Sequence, residues 1–214
     1  MRFGFLTVLA LFFLCSINAQ QGFQKEVDEI VERNDSLWNS SEKTIVFTGS
    51  SSIRLWKDLQ ERFPEQHILN TGFGGSQASD LLYHLQNLVL RYQPKKVFIY
   101  EGDNDIFAKK KPKKVIQTTQ AIIQRIKKEN KNTNIILISA KPSIARWGLR
   151  GKYRRLNRKL EKLTLSDSNL YYANVWDIML DGRKVKKDLF VDDGLHMNAK
   201  GYGLWYEKIK IFMK

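Results

Sequence analysis

Apolar and polar positions alternate along this chain in two rhythms, one of helical period and one of strand period. From Phe23 to Trp38, the residues Phe23, Val27, Ile30, Val31 and Trp38 recur at helical spacing and predict an amphipathic helix. Ile45-Val46-Phe47 follows, a β-branched and aromatic run suited to a buried strand, and it stops at Gly49. After Ser50-Ser51-Ser52, a helix is expected from Leu55 to Phe63, closed by Pro64. A second strand, His67–Asn70, runs into the glycine-rich turn Thr71–Gln77 and a helix from Ala78 to Tyr92. A third, Val97–Tyr100, ends on the polar cluster Glu101–Asp105 and leads to a helix from Val115 to Glu129. A fourth, Ile135–Ile138, is followed by the loop Ser139–Gly151 and a basic helix from Tyr153 to Leu165. The last repeat is a strand from Leu170 to Trp176, an irregular segment to Asp193 and a helix from Asn198 to Met213. This alternation predicts an α/β fold, a three-layer α/β/α sandwich whose five-stranded parallel sheet is covered on both faces.

A length of 214 residues fits one domain with a short extension before it. Residues 1–19 read as an export leader: Arg2, an apolar run from Leu6 to Leu14, and Ala19 at the cut. The apolar run is too short to span a membrane. The expected division is leader 1–19, helical extension 20–43 and domain 44–214, with the mature protein exported to the periplasm or secreted. Cys15 is the single cysteine, so cleavage after Ala19 leaves neither disulfides nor thiol chemistry.

The formal charge of +14 suggests affinity for polyanions. The lysines are spread over Lys109–Lys114, Lys127-Lys128, Lys184–Lys187 and Lys208–Lys214, as on solvated helix faces, and no nucleic-acid-binding signature is present. No nucleic-acid partner is expected, and the oligomeric state is left open.

In an open parallel sheet, ligands bind beyond the carboxyl ends of the strands, and every unusual loop here follows a strand. Ser50-Ser51-Ser52 can hold a nucleophile at a strand tip, or cap the helix that follows. Gly72-x-Gly74 begins a dinucleotide pattern that fails at Gln77, and no phosphate-binding P-loop occurs. The Gly74-Gly75 pair better suits a backbone N–H facing the crevice as an oxyanion donor. Asn104 can aim its side-chain NH₂ at the same point, while Asp105 serves a helix start. Asp193-Gly194-Leu195-His196 can fold a carboxylate back onto the imidazole, freeing the far nitrogen as a base, or can cap the last helix. His67 and His84 lack ligand spacing, so neither metal nor organic cofactor is expected.

Taken together and in order, these segments resemble the SGNH (GDSL-type) hydrolase family over about residues 44 to 212. Phe47-Thr48-Gly49-Ser50-Ser51-Ser52 is similar to its first block, with Ser51 on the nucleophile. Asn70-Thr71-Gly72-Phe73-Gly74-Gly75 is similar to the second, with Gly75 on the oxyanion-hole glycine, and Gly102-Asp103-Asn104-Asp105 to the third, with Asn104 on the oxyanion-hole asparagine. Asp193-Gly194-Leu195-His196 is similar to the block carrying acid and base. The family usually has Asp before the nucleophile, where this chain has Ser50. The resemblance implies a flavodoxin-like fold and a serine esterase or acylhydrolase. Its catalytic residues would be Ser51, Asp193 and His196, and its oxyanion hole the Ser51 and Gly75 N–H groups with the Asn104 side chain. Arg146 and Trp147, in the loop after the fourth strand, are candidate substrate-binding residues, for an anionic group and a sugar ring respectively; a surface charge and a packing residue are the alternatives. Expected substrates are small esters, including O-acetyl groups on glycans, with lysophospholipids or thioesters as alternatives. A non-catalytic protein holding anionic glycan or lipid headgroups is the competing class.

Overall fold

The computed structural model describes residues 22–214. The leader read over residues 1–19, with Cys15, lies outside the described residues. Helix α1 (Gln24–Leu37) precedes strand β1 (Thr44–Gly49), and α2 (Ser51–Arg54) and α3 (Leu59–Arg62) follow it. Strand β2 (His67–Gly72) leads to α4 (Ala78–Tyr83) and α5 (Leu85–Leu88), and β3 (Lys96–Tyr100) to α6 (Asp103–Phe107) and α7 (Pro112–Glu129). Strand β4 (Asn134–Ile138) leads to α8 (Arg150–Thr164), and β5 (Leu170–Ala173) to a hairpin of β6 (Leu180–Asp181) and β7 (Lys184–Val185), before α9 (Ala199–Ile209).

The main sheet is parallel with order β2-β1-β3-β4-β5. Strand alternation divides its side chains between two cores. Val46, Leu69, Val97, Ile99, Ile135 and Leu137 face Val27 and Ile30 of α1, Leu81 and Leu85 of α4 and α5, Ile122 of α7 and Leu156 of α8. Ile45, Phe47, Phe98, Ile136 and Ile138 face Ile53 and Leu59 of α2 and α3 and Tyr202, Trp205 and Ile209 of α9. Every residue of β1 and β3 is buried, the signature of strands covered on both faces.

Several boundaries differ from the sequence expectation for local reasons. Of the helix expected over 55–63 only Leu59–Arg62 is helical, a second short helix lies ahead of it at Ser51–Arg54, and the chain turns between them to bury Trp56 against Phe47, Tyr202 and Trp205. The helix expected from Ala78 to Tyr92 breaks at His84, whose buried ring stands edge-on to Phe73. Strand β5 stops at Ala173 rather than Trp176, since Asn174 Oδ1 takes the N–H groups of Trp176 and Asp177 away from the ladder. The expected irregular segment before Asp193 contains the β6–β7 hairpin.

Strand order reverses between β1 and β3, which opens a crevice beyond their carboxyl ends. Gly49 is in register with both Gly72 and Tyr100, so the turns after β1, β2 and β3 leave the sheet at one level. Gly49 has φ +123°, and a Cβ there would lie 2.1 Å from the Tyr100 carbonyl oxygen. Only glycine lets β1 and β3 approach this closely at their tips.

Candidate active site

Ser51 begins α2 at the tip of β1. Its Oγ lies 3.1 Å from His196 Nε2, and His196 Nδ1 lies 2.5 Å from Asp193 Oδ2. Asp193 Oδ1 accepts the backbone N–H groups of Leu195 (2.8 Å) and His196 (2.9 Å), which folds the loop into a closed turn. Burial works against the Asp193 charge, but these two N–H groups and the imidazole outweigh it and hold the carboxyl at about 2. An ionised Asp193 fixes the ring proton on Nδ1 and leaves Nε2 to accept from the Ser51 hydroxyl.

Of the three serine hydroxyls only that of Ser51 meets His196. The buried Ser50 hydroxyl accepts from Asn104 Nδ2 at 2.7 Å, and the Ser52 carbonyl accepts from the Tyr202 hydroxyl. Asn104 Nδ2 also donates to the Ser76 carbonyl at 2.9 Å. Gly75 sits at φ +73° and is exposed, and neither its N–H nor that of Ser51 has a partner among the described residues. The turn after β2 therefore carries one amide without a protein acceptor, and the start of α2 carries another.

Arg146 is placed differently from a free anion-binding residue. Its Nη1 donates to Asp103 Oδ1 (2.6 Å) and Asn104 Oδ1 (3.0 Å), and its guanidinium covers the Phe107 ring at 4.3 Å. Trp147 is half-buried, stacked on Trp176 with the Arg150 guanidinium over its ring. It borders a cavity of about 520 Å³ that Arg150, Arg154, Trp176 and Arg183 also line.

Sequence reasoning gave no role to Asp103, Lys141 or Tyr153. Asp103 is buried and accepts from Tyr100, Arg146 and Tyr153. Burial opposes its charge, while Lys141 and Arg146 more than compensate and hold its carboxyl below the ordinary range. Lys141 is buried just beyond β4, with Nζ 3.6 Å from Asp103 Oδ2 and donating to the Leu195 carbonyl at 2.7 Å. A lysine three residues after an apolar strand was the one visible signal. Nearby Glu101 is pushed well above its usual range by burial and by Asp105, and Ser76 donates to it. Among the described residues, no group of three or more His, Cys, Asp and Glu side chains could hold a metal ion.

The model of the GDSL-like lipase/acylhydrolase family matches residues 35–204. The chain belongs to this family. No curated protein matches the sequence. Among solved structures, a Streptococcus pneumonia protein provisionally described as a platelet activating factor is 24% identical, with 96% of this chain and 99% of that one covered and a TM-score of 0.80. A GDSL-like lipase from Bacteroides thetaiotaomicron is 19% identical, with 87% and 96% covered and a TM-score of 0.75. A lipase/acylhydrolase from Enterococcus faecalis is 22% identical, with 80% and 97% covered and a TM-score of 0.65. At these identities the structures establish the fold, and the family match makes this GDSL-like chain a hydrolase of the ester-cleaving class.

Proposed function

We propose that the protein is a serine esterase that removes small acyl groups through an acyl-enzyme. The observation that carries this reading is the continuous line from Ser51 Oγ through the His196 ring to Asp193, at 3.1 and 2.5 Å. As Ser51 Oγ bonds to the ester carbon, His196 Nε2 takes its proton, and Asp193 stabilises the imidazolium. The proton then passes to the departing alcohol oxygen as the C–O bond breaks. Water repeats the sequence, giving up its proton to His196 and releasing the acid. The N–H groups of Ser51 and Gly75 are the backbone donors for the oxyanion. Asn104 is the third, because a charged oxygen outcompetes the neutral Ser50 hydroxyl for its N–H.

The acyl side we assign to exposed Phe107, which lies under the Arg146 that holds Asn104, and exposed Ile144, which lies against Gly194 in the His196 turn. That surface suits acetyl or similarly short chains better than long ones. For the alcohol side we look to the cavity bordered by Trp147, next in the chain to Arg146, where Arg150, Arg154 and Arg183 form no ion pair among the described residues and outnumber the one lining carboxylate, Asp177. An O-acetylated acidic glycan fits that combination, its sugar against the indole edges and its carboxylate among the guanidinium groups.

The test is labelling by an active-site fluorophosphonate, followed by turnover of acetyl, butyryl and octanoyl p-nitrophenyl esters and of acetylated neutral and acidic sugars. Labelling lost in Ser51→Ala, with turnover falling as the acyl chain lengthens, is the expected result. Equal labelling of both proteins would reject Ser51 as nucleophile. Labelling of neither would favour a binding protein for anionic glycans on the same fold.

A further inference from the structure

Burying a lysine and an aspartate costs several kcal/mol per ion before any pairing, so a charge cluster sealed beside a reaction centre invites a positional explanation. We infer that Asp103, Lys141 and Arg146 form a positioning cluster that sets both halves of the site. In it, Arg146 orients and polarises the Asn104 amide, and Lys141 anchors the loop that carries His196. The inference rests on the esterase reading for its kinetic consequences, and on geometry alone for its placement.

One guanidinium nitrogen of Arg146 bridges Asp103 Oδ1 and Asn104 Oδ1, at 2.6 and 3.0 Å. With its oxygen held by a cation, the Asn104 amide has a single tolerable orientation. A flipped amide would set NH₂ against the guanidinium and oxygen against the Ser76 carbonyl that now accepts from Nδ2. The contact also draws electron density towards Oδ1, which makes the N–H bonds facing the nucleophile's turn stronger donors. Arg146 is thereby assigned to positioning, with Nη1 spent on Asp103 and Asn104, its guanidinium on the Phe107 ring and its side chain only 10% exposed.

Lys141 acts on the other half. Its Nζ donates to the carbonyl of Leu195, the residue before His196, at 2.7 Å, and Ala145 N–H donates to the Gly194 carbonyl at 3.0 Å. The turn that carries Asp193 and His196 is thus tied at successive carbonyls to the loop after β4. Asp103 stands between the two cations and joins them, with the Tyr100 and Tyr153 hydroxyls completing its shell.

The test compares Arg146→Met, Asn104→Ala and their double variant on p-nitrophenyl acetate, a neutral ester. Arg146→Met is expected to lower kcat roughly 10- to 100-fold with KM nearly unchanged, the scale of a small misplacement at a reacting centre. Because Arg146 works through Asn104, the double variant should be no slower than Asn104→Ala alone. Losses that multiply would overturn the coupling. A raised KM confined to an ester bearing a carboxylate would make Arg146 a substrate ligand instead. Lys141→Met, similar in volume and leaving Asp103 paired with Arg146, should slow fluorophosphonate labelling about tenfold, and its effect should multiply with that of Asn104→Ala. Wild-type labelling by a folded Lys141→Met protein would remove Lys141 from the cluster. A substrate-free readout separates this inference from the esterase reading. The Asn104 side-chain NH₂ signals, assigned by their loss in Asn104→Ala, should be two distinct and slowly exchanging protons in the parent. In Arg146→Met they should broaden or exchange faster, and unchanged signals would refute the positioning role whatever the protein hydrolyses.

Discussion

Replacing Asp193 by Asn changes one atom in the site and has a direction fixed by the surrounding bonds. Asp193 Oδ1 accepts from two backbone N–H groups, so the carboxamide oxygen must take that place. The new NH₂ then occupies the position of Oδ2 and faces His196 Nδ1, 2.5 Å away in the parent. A donor there forces the ring proton onto Nε2, where it points at Ser51 Oγ and blocks the base. A comparable change in a fully enclosed Ser-His-Asp site costs about 10⁴ in kcat. Here the Asp193 side chain is 45% exposed, so solvent already screens part of its charge and only the tautomer effect survives intact. The expected loss is therefore about 10²–10⁴ in kcat, with KM unchanged because Asp193 does not touch substrate. Initial rates on p-nitrophenyl acetate, with the variant's melting temperature as a control for folding, measure it. The carboxyl sits at about 2, so it remains ionised from pH 8 down to pH 4 and acid loss of activity in that window belongs to another group. Its depressed value stabilises the fold above the unfolded carboxyl's pKa of about 3.9, and that contribution fades as pH falls through about 2. A kcat within fivefold of the parent would refute the assignment of Asp193 as the partner that sets the tautomer.

Other perturbations reach different parts of the same argument. Asn104→Ala should cut kcat by about 10²–10³, the cost of one oxyanion donor, and near-normal turnover would exclude it from the hole. Gly49→Ala should cost about 3–5 kcal/mol by thermal or urea unfolding, since its Cβ would meet the Tyr100 carbonyl at 2.1 Å with φ at +123°. Gly148→Ala, where a Cβ meets nothing within 4 Å, is the control and should melt as the parent does. Replacing Arg150, Arg154 and Arg183 together by Gln should raise KM for an acetylated acidic glycan and leave p-nitrophenyl acetate turnover alone. An equal effect on both substrates would count against an anion subsite there.

Much of the architecture was legible because strand and helix periods are local properties of the chain. Ile45-Val46-Phe47, Val97–Tyr100 and Ile135–Ile138 could be assigned to strands from side-chain type alone, and the loops after them to one edge. Resemblance, rather than spacing, singled out Ser51 among three serines; the structure then placed its hydroxyl, and not those of its neighbours, against His196. Element ends were harder to read. The break at His84 and the early end of β5 at Asn174 depend on what a side chain meets after folding, and neither pattern nor propensity carries that information.

By itself, then, the sequence determined the order of elements, the parallel sheet and the polar turns at its carboxyl edge, since each follows from residues close together in the chain. The tertiary structure alone decided the partners of the charges. Arg146 meets Asp103 across 43 residues and Lys141 meets Leu195 across 54. The physical reason is that a local pattern records only whether a position prefers water or the interior. A buried lysine and an exposed one are the same letter until folding brings the carboxylate that follows β3 and a carbonyl from the turn before α9 within reach of its ammonium group.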